Sequence, residues 1–322
     1  MKKSNIQKFF DEQLKNWDFA NRNYKNLKKH QDKEFIVNGC RYVVQFNPAR
    51  IASSNAQVDE KSIRSRKCFL CEENIPKEQL KLPFKGRYSV MVNPFPIFPE
   101  HFTVVANIHE PQSILNRFDD MLDLAQLMSD YVVFYNGPKC GASAPDHTHF
   151  QAGNKSFLPI EQVWKNYVED TISHVEEIKL HTVNYGFPAF FISGSTFIGK
   201  GIDIKSKIVA VFEKVYNALP KGDSNDEPMM NVLAWFNPAT EIHLSETWII
   251  CIIPRSKHRP NCYFADGDNN LLISPASVDL GGVFIMPRKK DFEHITPEDI
   301  AEILNEVCLD KADFQQIASQ LR

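Results

Sequence analysis

The chain has 322 residues, of which 43% are hydrophobic and 24% are charged, and its formal net charge is -3 at pH 7. This length and apolar content are enough for a full hydrophobic core, even for two domains. The near-neutral charge, without a long run of Lys or Arg, argues against a nucleic-acid partner. No stretch approaches the roughly 18 apolar residues of a membrane helix, so no membrane partner is expected. Seven cysteines without a secreted protein's spacing, and no signal-peptide pattern, predict a cytoplasmic protein with reduced thiols.

The first part of the chain is predicted to combine helices with antiparallel strands. Phe9, Phe10, Leu14 and Trp17 recur at helical spacing, which predicts an amphipathic helix over residues 4–30. The elements expected after it are a hairpin over 35–47 that turns at Asn38-Gly39, a polar loop over 52–67, strands near 88–92 and 102–107, a helix from 114 to about 131 and a strand near 146–152.

The second part of the chain is predicted to contain another mostly antiparallel sheet. The peptide Phe46-Asn-Pro-Ala49 recurs as Phe236-Asn-Pro-Ala239, each time where a strand gives way to a turn. The pattern therefore predicts an α+β fold with an antiparallel sheet in each half. The elements expected here are a helix over 160–176, strands near 188–193, 230–236, 247–253 and 282–286, a loop over 220–228 and a helix over 297–321.

The segment His147-Thr-His149-Phe-Gln151 carries the strongest functional signal of the chain. Residues at alternate positions of a strand point to one face, so two imidazoles and a carboxamide would line one surface. An imidazole is a nucleophile at neutral pH because its free pKa is about 6.5. A strand with two incidental histidines is the alternative, and the alternation alone does not distinguish the two interpretations.

A loop of small and polar residues, Tyr135 to Ser143, precedes this motif. Successive backbone N–H groups in such a loop form a concave site for anions. The side chains of Asn136 and Ser143 add further donors, and Gly141 leaves its backbone accessible. We therefore expect a phosphate-binding loop beside the two histidines.

The loop and the motif together resemble the branch of the histidine-triad superfamily in which Gln replaces the third His. That branch holds galactose-1-phosphate uridylyltransferases, dinucleoside-tetraphosphate phosphorylases and GDP-hexose phosphorylases. Weaker likeness extends over about residues 40–295. Asp146, between Pro145 and the first His, departs from the uridylyltransferases and looks closer to the GDP-hexose phosphorylases. The family pattern, His-x-His-x-Gln after a Gly-x-Ser loop, is matched at Gly141, Ser143, His147, His149 and Gln151.

The resemblance implies a histidine-triad-like fold of two related halves, residues 1–158 and 159–322, of which only the first carries the motif. It also implies a nucleotidyltransferase or phosphorylase. His149 would attack the α-phosphorus of a nucleoside diphosphate sugar or a dinucleotide and carry the nucleotidyl group covalently. Phosphate or a sugar phosphate would then accept that group.

The transition state of such a transfer needs donors around the phosphate oxygens. Gln151, Ser143 and the backbone of Gly141 are expected to supply them. Arg255 and Lys257, which follow an apolar strand of the second half, are further candidates for a phosphate contact because phosphates favour Arg and Lys.

Cys68-Phe-Leu-Cys71 can bind a metal through two thiolates, and a tetrahedral Zn²⁺ then needs two further ligands. In zinc-bearing members of the superfamily these are a His after the following strand and the first His of the motif, which His109 and His147 match. His101 begins that strand, where the family takes no ligand. The resemblance thus implies one structural zinc, while two buried thiols or a redox pair are the alternatives.

Several alternatives stay open at this point. A zinc site points toward the uridylyltransferases, whereas the spacing at Asp146 points toward the GDP-hexose phosphorylases. A histidine-triad nucleotide hydrolase and a nucleotide-binding protein without activity also fit the motif. The Gln favours transfer, because the family's hydrolases mostly keep the third His. Relatives are often homodimers, but no stretch of this chain identifies an interface.

Overall fold

The computed structural model describes residues 4–197, 203–222 and 227–322, so residues 223–226 of the expected loop lie outside the described residues. The strands are β1 (Gln31–Val37), β2 (Cys40–Phe46), β3 (Leu82–Phe84), β4 (Tyr88–Val92), β5 (His101–Ala106), β6 (Tyr131–Asn136), β7 (His149–Asn154), β8 (Val168–Val175), β9 (Ile178–Asn184), β10 (Pro188–Phe197), β11 (Met230–Asn237), β12 (Ser245–Pro254) and β13 (Val283–Met286). The helices are α1 (Asn5–Asn16), α2 (Asp18–Leu27), α3 (Ile51–Ser54), α4 (Glu60–Ser65), α5 (Phe118–Leu127), α6 (Pro159–Val163), α7 (Ile204–Ala218), α8 (Asn261–Phe264), α9 (Ser277–Leu280), α10 (Lys289–His294), α11 (Pro297–Val307) and α12 (Lys311–Gln320). None of these helices is long and apolar enough to cross a membrane.

Ten strands form one sheet in the order β3-β4-β5-β7-β6-β11-β12-β10-β9-β8. All of its neighbouring strands are antiparallel. The expected α+β fold with antiparallel sheets is thereby confirmed. The two halves meet where β6 pairs with β11, with Asn136 opposite Asn231. The boundary between residues 158 and 159 stays a prediction.

The large sheet is covered on both faces. Helices α1, α2, α5, α7 and α12 contribute to the hydrophobic core on one face. The small sheet β1-β2-β13, with α6, α9, α10 and α11, contributes to the core on the other. The strand period of two produces this division, because in β6 Val133 and Tyr135 face the first core while Val132 and Phe134 face the second.

The hairpin at Asn38-Gly39 is confirmed. Both residues have positive φ, 50° and 80°, as the two-residue turn of a tight hairpin requires. The long N-terminal helix is instead two helices, because Trp17 between α1 and α2 has an extended backbone. The expected C-terminal helix is likewise divided into α11 and α12, and the polar loop over 52–67 contains α4 and the end of α3.

Two expectations for the second half are wrong. The helix over 160–176 ends after a single turn of α6 and a 3₁₀ segment, and β8 takes the remainder. The β-branched residues Val168, Thr171, Ile172 and Val175 favour an extended strand, which pairs with β9. The strand near 282–286 does not join the antiparallel strands of the second half. Instead β13 lies parallel to β2 in the small sheet.

A buried carboxylate ties α5 to the β3–β4 hairpin. Asp120 is fully buried, 2.7 Å from Lys85 Nζ, and accepts hydrogen bonds from Arg87 Nη2 at 2.6 Å and Tyr88 OH at 2.7 Å. Burial raises the pKa of this carboxyl group, but hydrogen bonds from Lys85, Tyr88 and Arg87 outweigh burial and lower it overall.

We predict that Asp120→Asn lowers the free energy of unfolding at pH 7 by about 2–3 kcal/mol, because it removes the charged partner of a buried network. The folded pKa lies below the unfolded value of about 3.9. The stabilisation is therefore complete above that value and is lost as the pH falls through the folded pKa. Urea unfolding at pH 7 and near pH 3 measures both effects. Asp119→Asn is the control, since Asp119 is exposed and should change stability by no more than about 0.5 kcal/mol. Equal losses in the two variants would contradict this assignment.

Candidate active site

A cavity of about 760 Å³ lies on the second-core face of the ten-stranded sheet. His149 and Gln151 of β7 line it, beside Thr103 of β5 and Phe134 of β6. The intervening Phe150 packs into the opposite core. His147 precedes the strand, and its ring is directed toward two thiols instead of this cavity.

The His149 imidazole is held in one orientation. Its Nδ1–H donates to the carbonyl oxygen of His147 at 2.8 Å, which leaves the lone pair on Nε2. Gln112 fixes the backbone, because its Oε1 accepts from His149 N and its Nε2 donates to the carbonyl oxygens of His149 and Asn136. Burial lowers the pKa of His149 to about 4, so the ring is neutral at physiological pH.

The amide of Gln151 is oriented by His101, a residue for which the sequence suggested no role. The backbone N–H of Ile97 donates to His101 Nδ1 at 3.2 Å, so the ring proton lies on Nε2. This proton is donated to Gln151 Oε1 at 3.0 Å, which leaves the NH₂ group of Gln151 as the donor available to a ligand. Burial lowers the pKa of His101 to about 3 and thereby keeps the ring neutral.

The loop before β7 lies against the cavity, with Asn136, Gly141 and Ser143 among the lining residues. Gly141 has φ +89°, and a Cβ at this position would lie 2.6 Å from Ala276 Cβ, so glycine is required. Asn136 Oδ1 accepts from Asn231 Nδ2 and from Ser277 N, both at 2.9 Å. The Asn136 amide group is thus oriented from the second half of the chain, and its NH₂ group is its remaining donor.

Arg255 and Lys257 do not line this cavity. The Arg255 guanidinium has five N–H donors, and protein atoms accept from all of them. The acceptors are Asn231 Oδ1 and the carbonyl oxygens of Pro275, Val307, Lys257 and His258. Lys257 pairs with Glu306. The structure thus gives Arg255 a structural role in place of the phosphate contact expected from the sequence.

Two other arginines line the cavity, Arg50 and Arg66. Arg66 Nη2 donates to Asp146 Oδ1 at 2.8 Å and to the carbonyl oxygen of Ser143 at 3.2 Å, so its charge lies beside the loop. Burial lowers the pKa of Arg50 to about 10, which still leaves it charged at neutral pH. Neither arginine was predicted from the sequence, since both lie in or beside a stretch interpreted as a polar loop. The place of Arg66 in the sequence, two residues before Cys68, was the one feature that indicated a position near the site.

Aromatic side chains line the same cavity. Phe19 and Phe95 are partly exposed and meet edge to face with ring centroids 5.6 Å apart. Trp17 adjoins Phe19, and the Arg66 guanidinium lies 5.1 Å from the Phe69 centroid. Such rings can stack on a planar ligand ring. The cavity therefore combines apolar stacking surfaces with two cations and a reactive imidazole.

Cys68, Cys71, His109 and His147 form a cluster whose candidate ligand atoms all lie within 4.8 Å of one another. Sγ of Cys68 is 3.3 Å from His147 Nδ1, and Sγ of Cys71 is 3.1 Å from His109 Nδ1. Tetrahedral zinc, with bonds of about 2.3 Å to S and about 2.0–2.1 Å to N, separates S and N ligands by roughly 3.5 Å. His147 Nε2 lies 2.8 Å from the carbonyl oxygen of Ala106, a contact that turns Nδ1 toward the thiols. The four residues fit a metal ion.

Comparisons with known proteins agree with this architecture. Residues 9–154 match the family described as "Domain of unknown function (DUF4922)", and residues 242–322 match "GDPGP1-like, C-terminal domain". A Saccharomyces cerevisiae protein, diadenosine 5',5'''-P1,P4-tetraphosphate phosphorylase 2, is 24% identical over 231 residues, which are 66% of this chain and 66% of that protein. The crystal structure of yeast Ap4A phosphorylase Apa2 has a TM-score of 0.57 and 19% identity over 96% of both chains. Its complex with Ap4A has a TM-score of 0.55 and 19% identity, over 96% of this chain and 99% of that one.

The expected resemblance to dinucleoside-tetraphosphate phosphorylases is thereby confirmed. The chain is homologous to an Ap4A phosphorylase and has the same fold. The aligned segment spans just under two thirds of that relative's length.

We predict that Arg255→Met lowers the free energy of unfolding by about 2–4 kcal/mol, because each buried acceptor left unpaired costs about 1–3 kcal/mol. Urea unfolding measures the difference. Lys257→Met is the matched control, since a partly exposed ion pair such as Lys257–Glu306 contributes at most about 1 kcal/mol. A loss no greater in Arg255→Met than in Lys257→Met would contradict the structural role of Arg255.

Proposed function

We propose that the protein is a phosphorylase that transfers a nucleotidyl group to phosphate through His149. One observation carries this proposal: a neutral, buried imidazole directs its free Nε2 toward a cavity that also holds an oriented amide donor and two cations. The other tautomer is disfavoured, because Nδ1–H is hydrogen-bonded to the carbonyl oxygen of His147.

The proposed reaction has two displacements. His149 Nε2 attacks the α-phosphorus, and the bond from phosphorus to the leaving-group oxygen breaks. An oxygen of inorganic phosphate then attacks the same phosphorus, the P–N bond breaks and His149 is regenerated. The NH₂ groups of Gln151 and Asn136, with the Ser143 hydroxyl and Arg66, stabilise the negative charge on the phosphate oxygens during both steps.

Two substrate classes are supported. Homology to an Ap4A phosphorylase supports a dinucleoside polyphosphate, and the sequence resemblance to GDP-hexose phosphorylases supports a nucleoside diphosphate hexose. We favour the dinucleoside polyphosphate, because the homologous segment includes the motif strand and two groups of aromatic side chains line the cavity. In either case one base would stack near Phe19 and Phe95 or on Phe69.

The experiment that tests this function incubates the protein with Ap4A, or with a GDP-hexose, in the presence and absence of phosphate. A phosphorylase forms ADP from an adenylyl group and added phosphate, and labelled phosphate appears in the product. Product formation that is independent of phosphate and releases AMP would instead identify a hydrolase. No turnover of either substrate class with phosphate would refute the proposal.

We predict that His149→Gln lowers turnover by at least about 10³-fold and abolishes the labelled covalent adduct, because it removes the attacking nitrogen. His147→Ala should instead reduce metal content and stability before it affects adduct formation. Trapping with an α-labelled nucleotide substrate, followed by acid treatment and denaturing electrophoresis, measures the adduct. An acid-labile adduct formed normally by His149→Gln would exclude this residue as the nucleophile.

We further propose that Cys68, Cys71, His109 and His147 hold one structural zinc ion. The matching S···N separations support this assignment. Such an ion supplies structural stability, because the free energy of metal binding is largely free energy of folding. It would also hold His147, whose carbonyl oxygen orients the nucleophile.

Purified protein is predicted to contain about one zinc per chain, as a single tetrahedral site requires. Cys68→Ser should lower both the zinc content and the midpoint of thermal unfolding. Cys262→Ser serves as the control, because Cys262 lies outside the cluster and should leave the metal content unchanged. Elemental analysis by mass spectrometry that finds no zinc in carefully prepared wild-type protein would remove this assignment without affecting the one for His149.

A further inference from the structure

A second cavity, of about 600 Å³, lies on the other half of the ten-stranded sheet. Its strand residues come from β8, β9, β10 and β12. Counted from the β8 edge, β9, β10 and β12 are the second, third and fourth strands, the same places that β4, β5 and β7 hold from the β3 edge. The two cavities therefore share three corresponding strands, while the second also reaches the edge strand β8 and the candidate active site reaches β6.

The strand register puts both cavities on the same face of the sheet. Residues directly opposite each other on neighbouring strands point to one face. A continuous row of such pairs crosses six strands through Gln151, Phe134, Leu233, Cys251, Phe191 and His181. Gln151 lines the first cavity and His181 lines the second.

The walls of the second cavity are rich in positive charge and hydroxyl groups. Lys165 and Lys179 line it beside His174, and Glu177 is the single acidic residue among the lining residues. Lys179 forms no ion pair within the described part of the chain. The hydroxyl groups of the lining are those of Ser193, Ser195 and Thr247.

His181 also lines the cavity and contacts one of these hydroxyl groups, that of Ser193. Its ring is buried, with Nδ1 2.9 Å from Thr171 Oγ1 and Nε2 3.0 Å from Ser193 Oγ. Burial lowers its pKa, and Lys179, His174 and Lys165 lower it further, so the ring stays neutral beside the two lysines. The imidazole fixes the Ser193 hydroxyl group while the cations stay available to an anion.

The remaining wall is apolar, formed by Trp164, Val168 and Ile249. A cavity of this size is within the range of about 300–1,000 Å³ typical of small-molecule sites and exceeds what a lone phosphate ion would fill. On β12, Thr247 and Ile249 line the cavity, and neither offers an imidazole. The strand that corresponds to β7 in the strand order thus offers no counterpart of His149.

We propose that this second cavity binds a small organic molecule through its phosphate monoester. Lys179 and Lys165 neutralise the phosphate, the hydroxyl groups of Ser193 and Thr247 donate to its oxygens, and the apolar wall covers the organic part. This site is additional to the nucleotidyl-transfer site and does not depend on the function proposed for it.

Equilibrium dialysis with labelled AMP tests the proposal on the full chain. The variant Lys179→Glu should lose one bound equivalent relative to wild type, or bind it at least about tenfold more weakly. Lys214→Glu is the matched control, because it makes the same charge change on α7, against the opposite face of the sheet. Ser193→Ala provides a second variant with no change of charge, and it should weaken the same equivalent.

Competition separates the sources of the phosphate. Glucose 1-phosphate and orthophosphate should displace the Lys179-dependent equivalent, and adenosine should not. Identical binding by wild type, Lys179→Glu and Lys214→Glu would overturn the proposal, whatever the first cavity binds. If adenosine displaced the bound AMP as effectively as unlabelled AMP does, the cavity would not recognise the phosphate. That result would also overturn the proposal.

Discussion

Five hydrogen bonds from the buried guanidinium of Arg255 join segments that are distant in the sequence. They reach Asn231 in β11, the turn before α9, the end of α11 and the chain after β12. Asn231 in turn donates to Asn136 and to the carbonyl oxygen of Cys140. The loop expected to bind phosphate is thus held from the second half of the chain, although that half contributes neither the nucleophile nor its neighbouring amide.

Much of this arrangement could be predicted from local sequence. The turn at Asn38-Gly39 follows from two residues that tolerate positive φ, and the shared surface of His149 and Gln151 follows from the strand period. The roles of His101, Gln112 and Arg66 could not be predicted in this way. Each depends on a hydrogen bond to a residue at least 37 positions away, and no local pattern records such a contact. The hydrogen bonds of Arg255 could not be predicted for the same reason, since its five acceptors become neighbours only in the folded chain.

The continuous sheet combines two halves with similar geometry and different chemistry. In the first half, β7 presents an imidazole and a carboxamide to the cavity. In the second, β12 presents Thr247 and Ile249 at the corresponding place in the strand order. The strand order is therefore present twice, while the imidazole and carboxamide that β7 presents have no counterpart on β12. Replacing side chains on one strand is enough to give the two halves different chemistry, because the backbone arrangement of the sheet does not depend on those side chains.

The ten-stranded sheet has two edges, and both are poorly suited to recruiting a further strand. At one edge β3 has three residues, one of them Pro83, which has no N–H to donate. At the other, β8 is interrupted by two register shifts, and Lys311 and Arg322 form ion pairs with its Glu169 and Asp170. Irregular, short and charged edges resist edge-to-edge aggregation. Any pairing of two copies of this chain would accordingly avoid the edges of the ten-stranded sheet, which stays a unit within each copy.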